Sequence, residues 1–409
     1  MKNRVAVIGA GAAGLMAAGI AAQRGLDVVL FEKTERTGKK ILISGKGRCN
    51  ITNNTDIEGL IQNIPGNGNF LYSSFYTFSN TDLVEFLEKN GLKTKVERGG
   101  RIFPVSDRSH DVLDVFIKFA KNNGVEIRLN SPVEEVTSEN GKVTGLVLKS
   151  GQKVECDSVV IATGGLSYPG TGSTGDGYKM ASKLGHGIIE QKPSLVPLIT
   201  GEEWVKELQG LSLKNVGITM YNKSGKKVYN DFGEMLFTHF GVSGPIILSS
   251  SRHILDYNYR DIKLSIDLKP ALTEEKLDER IRRDFELFSN KQFKNSLDEL
   301  LPKKMVPVMV ALSKIAPDKT VNQITKDERK NLVRLFKNLE VTITGARPVK
   351  EAIVTAGGVD TDQINPSTME SKLIKGLFFA GEIIDVDGYT GGFNLTIAFS
   401  TGYVAGMSV

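Results

Sequence analysis

The N-terminal segment carries the residue pattern with the clearest chemical meaning. The glycines of Gly9-Ala10-Gly11-Ala12-Ala13-Gly14 follow an apolar run at residues 5–8 and open a stretch of helical composition. In a strand–turn–helix unit the first glycine permits the tight turn, the second lets the backbone approach a pyrophosphate at the positive helix end, and the third allows close helix–strand packing. Glu32 closes the next apolar run and can accept hydrogen bonds from ribose hydroxyls. The pattern predicts a dinucleotide site, and its acid disfavours NADP there.

Two later strand ends favour FAD as the dinucleotide. The stretch Val160-Ile161-Ala162-Thr163-Gly164-Gly165 resembles the Ala-Thr-Gly strand end of flavoproteins with two dinucleotide-binding domains. The stretch Leu377-Phe378-Phe379-Ala380-Gly381-Glu382 resembles their late strand, whose final acid contacts the flavin ribityl chain. Glu382 stands where those proteins have Asp, so Glu382, Asp385 and Asp387 remain alternative ribityl contacts.

A glycine cluster at residues 388–392 leads to Asn394 at the start of a predicted helix. Backbone amides of Gly391 and Gly392, facing the electron-rich edge of the flavin, would stabilise the reduced anion. The alternative is a solvated loop in which Asn394 caps the helix.

Three longer stretches carry a resemblance to a known family. They are GKKILISGKGRCNITN at residues 38–53, FTHFGVSGP at 237–245 and DGYTGGFN at 387–394. Over essentially its whole length the chain resembles the aminoacetone-oxidase-like bacterial flavoproteins, NAD(P)/FAD-dependent oxidoreductases that include a reductase of dehydro bile acids. The resemblance implies a FAD domain, a barrel domain and a helical insert. It implies no single substrate, because the activities of the family differ.

The loop at residues 44–50 supplies further candidate cofactor ligands. Its glycine amides, the Arg48 guanidinium and the Asn50 amide suit flavin phosphates and ring heteroatoms, although Arg48 in a structural ion pair is the alternative. Cys49 as a small buried residue is favoured over a covalent flavin tether, so noncovalent FAD is predicted. The predicted FAD-site residues are Gly9, Gly11, Ala13, Gly14, Glu32, Lys33, Lys40, Ser44, Gly45, Arg48, Cys49, Asn50, Val133, Ala162, Thr163, Gly164, Gly381, Glu382, Gly391, Gly392, Asn394 and Leu395.

A second pattern of the same glycine spacing lies at residues 170–175. It follows Tyr168-Pro169 rather than a strand, so a second nucleotide site is not predicted there. It more closely resembles the Thr-Gly-Asp-Gly helix entry of fumarate-reductase-like flavoproteins. NADH or NADPH as electron donor is therefore left open.

Three residues are candidates to face a substrate. His239 lies in a glycine- and proline-rich loop, where a neutral imidazole can act as acid, base or hydrogen-bond donor; a histidine bonded to the backbone is the alternative. Arg347 precedes Pro348, and Tyr389 lies in the late glycine loop. No metal site is predicted.

The elements that must position these residues define an α/β fold. The βαβ pattern at the N-terminus needs further strands, which the C-terminal part supplies, so residues 1–192 and 348–409 are expected to form a two-dinucleotide-binding-type Rossmann FAD domain. Short β-like runs predict an inserted β-barrel domain at 193–271 and 340–347. Residues 272–339 read as a helical insert within it.

Composition limits the function classes. The chain has 409 residues, two cysteines and a formal net charge of +5 without a run of like charge, which indicates a cytoplasmic globular protein with no membrane partner and does not favour a nucleic-acid partner. We expect hydride transfer at flavin N5 to a small organic substrate, in a cleft between the FAD and inserted domains, by an NAD(P)H-linked reductase. The alternatives are an aminoacetone-type amine oxidase that uses oxygen and a flavin-bearing RNA-interacting protein.

Overall fold

The computed structural model describes residues 3–409. The β-strands are β1 (Arg4–Ile8), β2 (Asp27–Phe31), β3 (Thr52–Asn53), β4 (Thr94–Glu97), β5 (Arg101–Pro104), β6 (Glu126–Arg128), β7 (Val133–Glu139), β8 (Lys142–Leu148), β9 (Lys153–Glu155), β10 (Ser158–Ile161), β11 (Lys192–Ser194), β12 (Leu198–Thr200), β13 (Ser212–Tyr221), β14 (Lys227–Phe237), β15 (Gly241–Ser243), β16 (Ile262–Asp267), β17 (Leu339–Ala346), β18 (Val354–Ala356) and β19 (Leu377–Phe379). The α-helices are α1 (Ala12–Gln23), α2 (Lys39–Ile43), α3 (Ile57–Gln62), α4 (Tyr72–Thr77), α5 (Asn80–Lys89), α6 (Ser109–Asn122), α7 (Asp176–Lys183), α8 (Trp204–Glu207), α9 (Pro245–Arg252), α10 (Glu274–Leu287), α11 (Val306–Ser313), α12 (Lys326–Lys337) and α13 (Phe393–Ser408). Within residues 3–409, no helix combines the length and apolar character that a membrane crossing requires.

The chain forms two compact units, Met1–Ser194 with Pro348–Val409, and Leu195–Arg347. The first division falls after Ser194 rather than after residue 192, because β11 pairs antiparallel with β18 of the first unit. Smaller antiparallel sheets, β3-β5-β4 and β7-β8-β9, complete the first unit.

A five-stranded parallel sheet in the order β19-β10-β1-β2-β6 forms the centre of the first unit. Its central strands are runs of buried β-branched and aliphatic residues, as expected when helices or other elements cover both faces. The C-terminal strand β19 pairs with β10, so both chain ends build one sheet. The predicted α/β fold with a Rossmann-type sheet is confirmed.

Helix α1 is buried from Ala12 to Ala22, and small residues let its neighbours approach closely. A Cβ added at Gly402 of α13 would lie 2.4 Å from the Ala13 carbonyl oxygen, and one at Gly406 would lie 2.6 Å from the Ala17 oxygen. The C-terminal helix therefore packs backbone to backbone against the helix that follows the first glycine turn.

The second unit contains a closed barrel in the order β12-β15-β14-β13-β16-β17, and all the pairs are antiparallel. Strand β16 pairs with β17, although helices α10, α11 and α12 lie between them in the chain. The predicted inserted barrel with a helical insert is confirmed.

The contact between α1 and α13 yields a stability prediction. Gly402→Ala should lower the free energy of unfolding by about 1–3 kcal/mol, because the new methyl group meets a rigid backbone oxygen. Helix propensity alone would give the opposite sign, a gain of about 1 kcal/mol. Urea unfolding followed by circular dichroism measures the change.

The matched control is Gly170→Ala, where an added Cβ meets no atom within 4 Å. We expect this variant to unfold at the wild-type urea concentration. A Gly402→Ala protein that is as stable as wild type would contradict the close packing of the two helices.

Candidate cofactor site

A cavity of about 240 Å³ opens at the carboxyl edge of the parallel sheet. Its lining includes the residues that directly follow four strands: Gly9 after β1, Glu32 after β2, Ala162 after β10 and Ala380 after β19. In open α/β sheets, ligands bind at this edge, where loops from neighbouring strands meet. The topology therefore brings together motifs that are far apart in the sequence.

The first glycine turn presents backbone amides to this cavity. Gly9 has φ of 102°, a left-handed value, and a Cβ there would lie 2.6 Å from the Ala162 oxygen. At Gly14 a Cβ would lie 1.9 Å from the Gly9 oxygen, so this glycine serves helix–strand packing. Gly11 differs, because a Cβ there would meet no protein atom within 4 Å and would project into open space. The N-terminus of α1 has no side-chain cap, which leaves its first amides for an anion such as a pyrophosphate.

Glu32 is held rigidly at the end of β2. The side chain is buried, and its two oxygens accept hydrogen bonds from the backbone amides of Ala10 (3.0 Å) and Thr34 (2.9 Å). A carboxylate oxygen has capacity for a second hydrogen bond. The fixed carboxylate therefore suits the ribose hydroxyls of an adenosine half.

The second glycine pattern lies in the wall of the same cavity. Gly172, Ser173 and Asp176 all line it. The Asp176 carboxylate lies 2.6 Å from the Lys33 ammonium, which also contacts the Thr174 hydroxyl. This segment thus closes the first dinucleotide site rather than forming another.

A largely shielded ion pair forms a further wall. The Lys40 ammonium lies 2.5 Å from a Glu382 carboxylate oxygen and 2.7 Å from the Ser167 hydroxyl. The other Glu382 oxygen accepts hydrogen bonds from Ser167 (3.0 Å) and from the Thr355 amide (2.9 Å). The ion pair and these hydrogen bonds together hold the two side chains in position.

Of the three acids proposed for the ribityl contact, Glu382 is the one in the cavity wall. The Asp385 carboxylate accepts a hydrogen bond from Asn67, at 2.9 Å. Asp387 is buried and accepts a hydrogen bond from Ser194, at 2.7 Å. The geometry therefore favours Glu382 for the ribityl role.

The late glycine loop is tied together by Asn394. Its amide group accepts a hydrogen bond from the Gly388 N–H (2.9 Å) and donates to the carbonyl oxygens of Gly388 and Tyr389. The helix cap is Gly392 instead, so the capping role considered for Asn394 is wrong. Tyr389 packs against the core, and its N–H donates to the Asn63 carbonyl at 2.9 Å.

The start of α13 contributes to the cavity through Asn394 and Leu395. This helix also lacks a side-chain cap, so its first amides present a positive potential. Gly391 and Gly392 lie outside the cavity lining. The Gly392 N–H donates to the Asn50 side-chain oxygen at 3.1 Å in the amide orientation that satisfies both groups. At this end of the cavity the lining therefore comes from Asn394 and Leu395 rather than from the two glycines predicted to face the flavin.

The residues of the loop at 44–50 differ in role: one lines the cavity and others hold the structure together. Ser44 lines the cavity. The Arg48 guanidinium instead forms ion pairs with Glu97 and Asp107, both at 2.5 Å, and lies 4.2 Å from the centre of the Phe103 ring. This is the structural alternative for Arg48, and it removes the guanidinium as a phosphate ligand.

Cys49 is fully buried with a left-handed φ of 60°. Burial raises the pKa of its thiol to about 12, which keeps it protonated and unreactive. Gly45 and Asn50 pack together, since a Cβ at Gly45 would lie 2.6 Å from the Asn50 nitrogen. These three residues shape the loop rather than contact the cavity.

Most of the FAD-site residues predicted from the sequence line the cavity. The predicted residues that line the cavity are Gly9, Gly11, Ala13, Glu32, Lys33, Lys40, Ser44, Val133, Ala162, Thr163, Gly164, Gly381, Glu382, Asn394 and Leu395. Those outside the lining are Gly14, Gly45, Arg48, Cys49, Asn50, Gly391 and Gly392. Lining residues absent from the prediction include Arg36, Gly38, Lys39, Ile41, Ser131, Ser173, Asp176, Ile353, Val354 and Val386. Among them, Gly38, Lys39 and Ile41 lie in the family-like stretch at residues 38–53, and Ser173 and Asp176 lie in the second glycine pattern and the helix entry that follows it.

Two of the predicted catalytic residues meet in the barrel unit. The His239 ring contacts the Phe240 ring edge-on at 4.9 Å, and the Arg347 guanidinium lies 4.7 Å from the centre of the same ring. The loop is closed by Thr238, whose hydroxyl donates to the Gly241 carbonyl at 3.0 Å. His239 is exposed and its imidazole has no hydrogen-bond partner among residues 3–409, so it does not serve to hold the loop.

The fold and the cavity define a Rossmann-type dinucleotide-binding flavoprotein. The sequence profile of the HI0933-like protein Rossmann domain matches residues 3–408, and the chain belongs to this family. It is 34% identical over 407 residues to a ribosomal RNA dihydrouridine synthase of Haemophilus influenzae, with 98% of this chain and 97% of that protein covered. It is 32% identical over 410 residues to a 3-dehydro-bile acid delta(4,6)-reductase of Clostridium scindens, with 99% and 98% covered.

Among solved structures, the open conformation of a flavocytochrome c3 fumarate reductase shares the fold. The TM-score is 0.53 at 19% identity, and the match covers 99% of this chain and 77% of that one. With the family and the site geometry, these findings make the protein an FAD-dependent oxidoreductase. The predicted family with a dehydro bile acid reductase is confirmed, whereas the aminoacetone oxidase name finds no support among these relatives.

The open space at Gly11 gives a direct test of the cofactor site. Gly11→Val should abolish FAD retention, because its side chain starts from a Cβ that meets no protein atom within 4 Å and enters space that the pyrophosphate needs. Absorbance of the purified protein near the flavin band, with FAD identified after denaturation, measures retention.

Gly345→Val is the matched control, because a Cβ there makes an ordinary 3.7 Å contact with Ile199 in a barrel strand. We expect this control to stay yellow, and both variants to keep the circular dichroism of the fold. A Gly11→Val protein with wild-type FAD content would refute this placement of the cofactor.

Proposed function

We propose that this protein is a reductase that saturates the C5–C6 double bond of uridine in ribosomal RNA, with NADH or NADPH as the electron donor. The observation that carries the proposal is the full-length similarity to a ribosomal RNA dihydrouridine synthase, which extends through the inserted unit as well as the FAD unit. Similarity confined to the FAD unit would support only the cofactor.

The charge distribution supports an RNA substrate. Leu195–Arg347 carries 25 of the 52 Lys and Arg residues and 20 of the 47 Asp and Glu residues, whereas the rest of the chain carries 27 of each. The entire net charge of +5 therefore belongs to the inserted unit. The sequence lacks a run of like charge, and on that ground it did not favour a nucleic-acid partner. The unequal distribution of charge between the two units, however, favours a polyanionic partner of the barrel unit.

A second candidate substrate follows from the other relative. A 3-dehydro-bile acid delta(4,6)-reductase acts, by its name, on a double bond of an oxidised steroid. Uridine likewise presents a carbon–carbon double bond next to a carbonyl group. Both substrates call for the same two additions, a hydride at one carbon and a proton at the other, so one site chemistry serves either.

The residues divide this chemistry among themselves. FAD, when bound, supplies hydride transfer between the nicotinamide and the substrate carbon. The Gly11 turn and Glu32 would hold its adenosine diphosphate half, and the α1 amides would neutralise the pyrophosphate. The Lys40–Glu382 pair would fix the ribityl region, and the uncapped start of α13 would supply positive potential. His239 would deliver the proton, since imidazole is the side chain that most often serves as a general acid and this one is exposed.

The reaction is tested with the intact FAD-loaded protein under nitrogen. NADH or NADPH should bleach the flavin band, and subsequent addition of ribosomal RNA from cells lacking this gene should restore it. Mass spectrometry of the nucleosides should then show uridine heavier by two hydrogens.

Three outcomes would contradict parts of this proposal. If neither NADH nor NADPH bleaches a flavin that dithionite does reduce, the assignment of a nicotinamide nucleotide as electron donor is wrong. If a small amine bleaches it and air restores the colour with peroxide, the amine oxidase alternative holds. If a 3-keto steroid with a conjugated double bond is reduced while ribosomal RNA is not, the substrate is of the second class.

His239→Ala should lower the turnover number about 10²- to 10⁴-fold, the range for loss of a general acid, and leave the FAD content unchanged. The matched control is His110→Ala, since His110 is exposed on α6 of the other unit. Wild-type turnover in His239→Ala would remove this residue from the chemistry.

A further inference from the structure

A cluster of basic and aromatic side chains lies at one end of the barrel, around the turn between β13 and β14 and the approach to β16. We call it the basic tyrosine patch, and it consists of Tyr221, Lys223, Lys226, Lys227, Arg260 and Lys263. The five cationic residues are exposed, and Tyr221 is partly exposed. None of them belongs to the cofactor cavity.

Strand register places three of these side chains side by side. Tyr221 is directly opposite Lys227 on β14 and directly opposite Lys263 on β16. Directly opposed residues share one face of a sheet, with Cβ atoms about 4.5–5.5 Å apart. Because both lysines are exposed, the face is the outer surface of the barrel, and Tyr221 lies between two lysines on neighbouring strands.

The neighbouring turn adds cations to this row. The Asn222 side-chain oxygen accepts hydrogen bonds from the backbone amides of Ser224 (3.1 Å) and Lys226 (3.0 Å), which fixes the turn. Lys223 and Arg260 line a shallow concavity of about 370 Å³ beside it. The turn therefore holds charged side chains around a surface that an extended chain can enter.

Most of this charge is not neutralised within the protein. Lys223, Lys226, Lys227 and Arg260 form no ion pair within residues 3–409. Lys263 approaches Glu340 only at 3.9 Å, and Asp256 and Asp261 are the carboxylates that line the concavity. Cations that lack partners on their own surface are available to phosphates, which release counterions on binding.

We propose that the basic tyrosine patch binds the phosphodiester backbone of the RNA substrate and that Tyr221 stacks on an unpaired base. The proposal rests on the proposed function, since it names the surface by which the same RNA is held. Cations that follow the backbone, interleaved with an aromatic ring, are the combination that binds single-stranded nucleic acid. The patch lies in the unit that carries the net charge.

The test compares two triple variants of the FAD-loaded protein. In Lys223→Gln/Lys226→Gln/Lys227→Gln, the plot of log Kd for ribosomal RNA against log salt should lose about 2–3 units of slope, near one for each phosphate contact removed. The KM for RNA should rise while the turnover number at saturating RNA and the rate of flavin bleaching by NAD(P)H stay unchanged. The control is Lys118→Gln/Lys149→Gln/Lys153→Gln, three exposed lysines of the FAD unit, and it should keep the wild-type slope.

Tyr221 is tested separately. Tyr221→Ala should weaken RNA binding about tenfold or more, whereas Tyr221→Phe, which keeps the ring, should bind as wild type. A loss in both variants would indicate a hydroxyl contact and overturn the stacking role.

The failures of the two proposals are distinguishable. If wild type reduces uridine in ribosomal RNA and the patch variant keeps its Kd and salt slope, the patch proposal alone is wrong. If the wild-type protein reduces no uridine yet binds RNA through the patch, the proposed reaction is wrong and the proposed RNA-binding surface is supported. Absence of RNA binding by wild type at low salt overturns both.

Discussion

The structure depends on one backbone arrangement, the tight turn that joins β1 to α1 at the edge of the parallel sheet. The turn aims uncapped helix amides into the cavity, and it is possible only because Gly9 adopts a left-handed φ against the Ala162 carbonyl. The helix that starts there must then lie close to the sheet, which requires Gly14. An anion at the helix start complements the dipole and the unsatisfied amides together, so the pyrophosphate site is a consequence of how the first βα unit folds.

The same constraint explains why the two chain ends belong together. Helix α1 is buried on all sides, and its apolar surface needs a second helix as close as backbone contact allows. Gly402 and Gly406 let α13 provide that contact. Because α13 begins at the cavity, packing against α1 also brings a second uncapped helix start to the site. One packing interaction thus serves both the stability of the unit and its positive potential toward a cofactor.

Local patterns were sufficient for much of the fold and for the pyrophosphate end of the site. Spacing predicted the glycine turn and Glu32, and the resemblance to strand ends of known flavoproteins predicted Ala162 and Gly381. Arg48 could not be assigned this way, because its partners Glu97 and Asp107 reach it only through the pairing of β3, β4 and β5. The same holds for Gly392, whose amide is taken by Asn50 from a distant segment. Long-range hydrogen bonds and ion pairs determine which polar groups remain available to bind a cofactor. Local sequence patterns do not predict these long-range contacts.

The two units divide the electrostatic requirements of the proposed reaction. The dinucleotide site obtains its positive potential from helix starts, and its lysines Lys40 and Lys33 are paired with Glu382 and Asp176. Attraction of a polyanion needs the opposite, unpaired cations on an exposed surface, which act over about 8–10 Å at physiological salt. If both requirements were met in one unit, free cations would lie beside the cofactor phosphates. The cofactor and the polyanion would then compete for the same cations. Under the proposed function, a neutral FAD unit and a basic inserted unit would avoid that competition, and the inserted unit would be able to change its substrate while the cofactor site stays the same.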